Sequence, residues 1–313
     1  MIPSCEARHW TQLSGCAQVQ GDWRASRQFA YERMKFLDHL DFMERLDAHS
    51  VIAWASSLLG ELEEADRITA AGLASRQPGQ APSAALHTIA WRIYALTLRG
   101  GWDAVLSAAE RAIQFWVEAG RISAGYAMRG FLAVIDVARA RQDGAAFEKV
   151  KEVIEAITAA FEAQGRDYYI ERDRAYLAGD VEALVAIADR FQPQHLGIER
   201  LERLLSLLAD RGRSPSLPTL RRIIEFSSAF GYGILEAQAL RVQGVAAADV
   251  TALSQAITLF EQADAVPYAA RARIERARLT ADQDELSAGT GVLETLGDFD
   301  YLSRAERYVR RPS

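Results

Sequence analysis

The sequence is poor in the residues that mark several common protein classes. Its 313 residues include two cysteines and three lysines, Lys35, Lys149 and Lys151. Cys5 and Cys16 have no histidine pair at ligand spacing beside them, so neither a zinc site nor a disulfide framework is predicted. The net charge is -6, with a pI near 5.5. Since phosphate binding needs a positive field, direct binding to nucleic acid is not expected.

Targeting and membrane signals are also missing. The N-terminal stretch MIPSCEARHW has neither the basic segment nor the apolar segment of a secretory signal peptide. No window of 18 residues is uncharged and apolar, so no transmembrane helix is predicted. We therefore expect a cytoplasmic protein without a membrane partner.

Motifs for catalysis, cofactors and metals are absent as well. The sequence contains no G-x-x-x-x-G-K-[ST], no G-x-S-x-G and no H-E-x-x-H pattern. Its five histidines are scattered along the chain. Adjacent carboxylates such as Glu63 and Glu64 fall at the start of a predicted helix, where they complement the helix dipole. We predict no enzyme activity, no cofactor and no bound metal.

A repeated phrase gives the first positive indication of structure. GELEEADRITAAGL at 60–73 is echoed by GGWDAVLSAAERAI at 100–113, and fainter copies occur along the whole chain. The repeats can be marked at Gly21, Gly60, Gly100, Gln142, Gly179, Gly212, Ala248 and Ala281. The intervals between successive markers are 39, 40, 42, 37, 33, 36 and 33 residues. This period is typical of helical-hairpin repeats.

The segments between the markers have helical patterns too. Apolar residues recur every three or four positions in 85–99 and in 147–161, and no period-two alternation is present. Glycine at a marker would end one helix in a left-handed conformation, and the acidic residue after it would accept from free N–H groups of the next helix. The sequence thus predicts an all-α protein.

These motifs resemble the turn and second helix of tetratricopeptide repeats. The length of the N-terminal repeats is similar to that in the repeat regions of bacterial ATPase-linked adenylate cyclases and LuxR-family ATP-binding regulators. The resemblance implies a right-handed superhelical α-solenoid of about seven to eight hairpins, forming a single domain over 1–313. Pro215 and Pro218 predict an irregularity or bend around 192–218.

The resemblance also implies a binding surface. In such arrays the first helix of each hairpin lines a concave groove, and counting back from the markers assigns positions to it. The assigned residues include Trp54, His87, Tyr94, Arg129, Asp136, Arg139, Arg166, Tyr169, Asp173 and Tyr176. Aromatic and arginine side chains of this kind are enriched at binding hot spots. The alternative is that the aromatics pack between helices and that the arginines form a solvated face or salt bridges within the repeats.

Two functions are compatible with this sequence. The first is a scaffold that binds a peptide or partner domain in its concave groove. The second is a module of a bacterial signalling or transcription regulator that senses a small-molecule effector in the same groove. The sequence identifies neither the partner nor the oligomeric state.

Overall fold

In a computed structural model the chain folds entirely into helices and the segments that join them. The structure describes residues 3–165 and 170–309, and no strand occurs among them. This confirms the predicted all-α class. None of the helices in these two ranges is both long and apolar enough to cross a bilayer.

Seventeen α-helices lie within the described ranges. The first eight are α1 Pro3–Gln20, α2 Trp23–Met34, α3 Phe42–Leu58, α4 Leu62–Ala74, α5 Pro82–Arg99, α6 Trp102–Glu118, α7 Met128–Ala140 and α8 Gly144–Ala163. The others are α9 Ile170–Ala178, α10 Val181–Asp189, α11 Ile198–Asp210, α12 Leu217–Phe230, α13 Gly233–Ala247, α14 Val250–Gln262, α15 Val266–Thr280, α16 Gln283–Leu296 and α17 Phe299–Val309. Short 3-10 helices cover Leu37–His39 and Gly125–Ala127.

Each of the eight marker positions lies between an odd-numbered helix and the even-numbered helix that follows it, and each has a positive φ. Five are glycines, which adopt this conformation without a Cβ clash. Gln142, Ala248 and Ala281 adopt it at φ of 56°, 53° and 58°. The turn geometry is therefore retained where the glycine has been replaced.

Aspartate side chains begin many of the even-numbered helices. The carboxylates of Asp22, Asp143, Asp180 and Asp282 each accept from a backbone N–H in the first turn of α2, α8, α10 and α16. These N–H groups have no partner within the helix, so the cap stabilises its start. Asp103 differs, because Gly101 occupies the N-cap of α6 and Asp103 forms an ion pair with Arg141 instead.

Most helices that follow one another along the chain pack side by side, and so do some successive odd-numbered helices, such as α3, α5 and α7. The crossing of α5 and α7 is especially close. A Cβ added at Gly130 would lie 2.7 Å from the Cα of Ala90, so only glycine fits there. The buried apolar residues between the helices form one large cluster and two smaller ones.

The last hairpins contact the first ones. Helix α15 packs against α5, and α17 packs against α7. The Nε1 of Trp23 donates to Tyr232 Oη at 2.8 Å, and Arg99 is paired with Asp264 at 2.9 Å. The side of the helices that faces inward is consequently covered by other parts of the same chain.

Within 192–218, the part expected to be least regular, α11 is an unbroken helix of 13 residues. The segments 190–197 and 211–216 on either side of it are not helical. Pro218 lies in the first turn of α12, where a missing backbone N–H costs nothing.

We predict that Ala112→Leu lowers the free energy of unfolding by about 1–3 kcal/mol, because Ala112 is 1% exposed in the core and a larger side chain would overpack it. Urea denaturation measures this change. The control is Ala104→Leu, at an exposed position of the same helix. Equal stability of the two variants would contradict the packing described for α6.

Candidate ligand-binding interior

Helix α11 occupies the centre of the protein and is buried on both faces. Its leucines Leu204, Leu205 and Leu208 belong to the main apolar core. Its opposite face carries charged residues that are also buried, namely Glu199, Arg200, Glu202 and Arg203. Buried charges are costly unless they are paired, so the helices facing α11 must supply partners.

Helix α5 contributes one of these partners. The Oη of Tyr94 donates to Glu202 Oε2, and the guanidinium of Arg203 lies 5.1 Å from the centre of the Tyr94 ring. Tyr94 is 1% exposed and Glu202 is 2% exposed. The pair thus fixes α11 against α5 inside the protein.

Helices α7 and α9 contribute the others. Arg129 Nε lies 3.4 Å from Glu199 Oε1, and Arg203 Nε lies 3.8 Å from Asp136 Oδ2. Asp136 also accepts from Tyr176, and Arg200 lies 3.6 Å from Asp173. We call these pairs, together with Tyr94–Glu202, the cavity-side network. It joins α11 to three helices of the first five hairpins.

The pKa values of two carboxyl groups in this network, Glu202 and Glu199, are shifted in opposite directions. Burial raises the pKa of Glu202 to about 8, an effect that the neighbouring Glu199 reinforces, so this carboxyl is mostly protonated at neutral pH. Burial also acts to raise the pKa of Glu199, but Arg129 and Arg200 together outweigh it and hold that pKa below its usual value. Glu199 is thus the charged member of the two.

A second group of buried charges surrounds the C-terminal end of α11. Asp210 is paired with Arg241 at 2.5 Å and with Arg271 at 3.0 Å. Arg271 also binds Asp298 at 2.6 Å, and Arg241 binds Glu275 at 2.6 Å. This group ties α11 to α13 and α15, so both ends of the helix are held by ion pairs.

A cavity of about 560 Å³ adjoins the cavity-side network. Its volume is within the range of small-molecule sites. Most of its wall is apolar, with contributions from Trp54, Tyr126, Met128, Phe161, Ile170 and Leu196. The charged residues that line it are Arg129, Asp173, Glu199 and Arg200. A larger cleft of about 1200 Å³ lies next to α9 and α10, and its exposed charged residues pair with one another, as Arg190 does with Glu171 and Arg174 with Glu162.

Three donor atoms at this cavity have no hydrogen-bond acceptor among the described residues. Arg129, 8% exposed, forms no hydrogen bond with any of these residues, and its Nε and Nη1 are enclosed. The Nε1 of Trp54 is likewise buried without an acceptor there. The guanidinium of Arg129 lies 4.0 Å from the centre of the Trp91 ring and 5.2 Å from that of Trp54. Cation–π contacts and the ion pair with Glu199 therefore hold the guanidinium in place without satisfying its hydrogen-bond donors.

Most of the predicted groove residues are brought together in this interior rather than on an open surface. Tyr94, Arg129, Asp173 and Tyr176 are each less than a tenth exposed. Trp54 and Asp136 are half-buried, His87 contacts Tyr126 and Trp91, and Arg139 donates to the carbonyl oxygens of Tyr176 and Leu177. Arg166 and Tyr169 lie outside the described residues. That these side chains bind a partner stays a prediction, and the packing alternative describes Tyr94 and Tyr176 well.

The sequence did not single out the charged residues of α11. In IERLERLLSLLAD the polar residues recur every three or four positions and look like an ordinary solvated face. The one available signal was the flanking irregularity around 192–218, which suggested that this hairpin differs from the others.

We predict that the unfolding free energy of the wild type falls relative to that of Glu202→Gln as the pH rises from about 5 to 9. The folded pKa of Glu202, about 8, lies above the 4.5 of an unburied glutamate. The stability contributed by the bound proton is fully present below the unfolded pKa of 4.5 and is lost as the pH rises through the folded pKa of about 8. A difference of one between the two pKa values is worth about 1.4 kcal/mol.

Urea unfolding at several pH values measures this difference. The control is Glu152→Gln, at an exposed position of α8. A pH profile for Glu202→Gln parallel to that of the wild type would show that Glu202 is ionised in the folded protein.

The chain matches no family model, and no curated protein matches it significantly. The functional assignment therefore rests on the chemistry of the interior and its cavity.

Proposed function

We propose that this chain is a tetratricopeptide-like sensor module that binds a small molecule in the cavity lined by Trp54 and Arg129. The observation that carries the proposal is a largely apolar cavity of about 560 Å³ with unpartnered buried donors in its wall. Small-molecule sites are usually apolar cavities with a small number of polar groups that point into them. Unsatisfied buried donors are costly, so a ligand that accepts from them gains affinity.

The proposal includes the finer architecture, a right-handed superhelix of eight hairpins. The recurrent positive φ at the eight markers and the packing of most helices on the next one support it. The resemblance to the repeat regions of bacterial signalling ATPases supports a sensor that acts with an attached or associated signalling domain.

A small molecule fits the geometry better than a peptide in an open groove. An extended peptide on the inward side of α5 and α7 would have to displace α11, together with its ion pairs to Arg129 and Asp136. A molecule the size of the cavity needs no such rearrangement. A protein partner would instead use the outer surface or the ends of the array.

The cavity is connected to the contact between early and late hairpins. Trp54 stacks on Trp91, with ring centres 5.5 Å apart, and contacts Trp23 in a tilted arrangement at 4.9 Å. Trp23 in turn donates to Tyr232, which also contacts His195 Nδ1 at 2.8 Å. A ligand that moves Trp54 would therefore bias the packing between the two ends of the chain, which is how a sensor transmits occupancy.

We predict that Thr158→Phe abolishes small-molecule binding, because Thr158 is 6% exposed and lines the cavity, which a larger side chain would fill. The full-length protein is incubated with a cellular metabolite extract, and retained molecules are detected by native mass spectrometry. The control is Ala159→Phe, at the next position of α8 and exposed.

Retention by the wild type and by Ala159→Phe, but not by Thr158→Phe, is the expected result. If the wild type retains nothing, or if Thr158→Phe retains the same molecule, the cavity is not the binding site. A protein captured in place of a metabolite would favour the scaffold function.

A further inference from the structure

From the buried donors in the wall of the cavity we infer that its ligand is an organic anion: an acidic head group that accepts from Arg129 and Trp54, on an apolar body that packs against Phe161 and Met128. This inference rests on the proposed function and specifies the chemical class of the ligand. No residue pattern in the sequence points to it, because the groups involved come together only in the folded chain.

The free hydrogen-bonding capacity of the cavity is mainly that of donors. Arg129 Nε, Arg129 Nη1 and Trp54 Nε1 are all buried without an acceptor in the described part of the chain. Glu199 Oε2 is the one buried acceptor of the lining residues without a donor there. A group that only accepts, such as a carboxylate or a phosphate, satisfies the three donor atoms.

The charged side chains that line the cavity are balanced in number among the described residues. They are Arg129 and Arg200 against Asp173 and Glu199. Arg129 lies 3.4 Å from Glu199 and Arg200 lies 3.6 Å from Asp173. The preference for an anion therefore comes from the buried donors of Arg129 and Trp54 that have no acceptor in the described part of the chain, and not from a net charge.

Burial is the main influence on the charge of Arg129. It lowers the pKa of this guanidinium to about 10, against the field of Glu199 and with smaller contributions from Arg200 and Arg203. Arg129 is therefore still a cation at neutral pH. Since hydrogen bonds to charged groups are the strong ones, an anionic head group has more to gain here than a neutral acceptor of the same shape.

The rest of the wall determines the body of the ligand. Phe161, Met128, Ile170 and Leu196 provide apolar surface, and the volume leaves room for a chain or ring attached to the head group. A free inorganic anion would leave this surface unpaired. The cavity thus suits an amphipathic acid better than phosphate or sulfate alone.

We predict that carboxylates bind at least about tenfold more tightly than their amides, because the amide keeps the shape but loses the charge. The probes run from pentanoate to decanoate and from benzoate to 4-phenylbutanoate, each with its amide, and alkyl phosphates distinguish a phosphate head group from a carboxylate. Affinity is measured by isothermal titration calorimetry, with tryptophan emission as a second readout from Trp54.

Two matched double variants locate the head group. Arg129→Gln with Glu199→Gln neutralises the pair at the cavity without leaving a lone buried charge, which would be strongly destabilising. Arg33→Gln with Asp47→Asn neutralises another pair, 2.5 Å apart, whose arginine is 5% exposed and does not line the cavity. The first variant should lose the preference for acids, and the second should keep it. Thermal unfolding checks that both are folded.

The outcomes separate the two proposals. If amides bind as tightly as acids, or if the variant at Arg129 and Glu199 keeps the preference, the ligand is not an anion held by Arg129, while sensitivity to Thr158→Phe would still support the cavity as the site. If no acid in either series binds, the anion inference is overturned. If in addition no metabolite is retained by the wild type, the proposed function falls with it.

Discussion

The charged face of α11 is the constraint on which the rest of the structure depends. A helix with buried glutamates and arginines can lie at the centre of a protein only if each neighbour presents a complementary group. Tyr94, Arg129 and Asp136 meet this demand at Glu202, Glu199 and Arg203. These partners lie more than 50 residues away, on α5 and α7. The main effect of the ion pairs is therefore to specify which helices face α11, and their net contribution to stability is smaller.

The packing of late hairpins on early ones follows from the same constraint. Once α11 is held from α5 and α7 on one side and from α13 and α15 on the other, the two ends of the array are brought together. The contacts of Trp23 with Tyr232 and of Arg99 with Asp264 are made across this junction. The inward side of the first helices is then an interior, and what remains of a groove is the cavity beside Trp54.

Local features were predictable from the sequence, and the burial of the interior was not. The turns could be located because a left-handed residue and an N-cap depend only on nearby sequence. Gly60 has the left-handed conformation and Asp22 is an N-cap, and Ala248 has the left-handed conformation at a marker without glycine. Tyr94 and Tyr176 were assigned to a concave groove, and both are buried in the structure. Their burial depends on α11, which lies more than twenty residues further along the chain. The periodic charge pattern of α11 would look the same in a helix with a solvated face and in a helix with a buried network.

The cavity is where the hydrogen-bonding demands of the interior are left incompletely met. Along most of α11 each charge has a partner from a facing helix, as Asp210 has in Arg241 and Arg271. Near its N-terminal end, Arg129 faces Glu199 at 3.4 Å, but its Nε and Nη1 form no hydrogen bond with the described residues. The ion pair thus matches the charge of the guanidinium and leaves its donors without acceptors. A ligand that accepts from them would stabilise the folded interior, so occupancy of the cavity and stability of the junction at Trp23 would rise together.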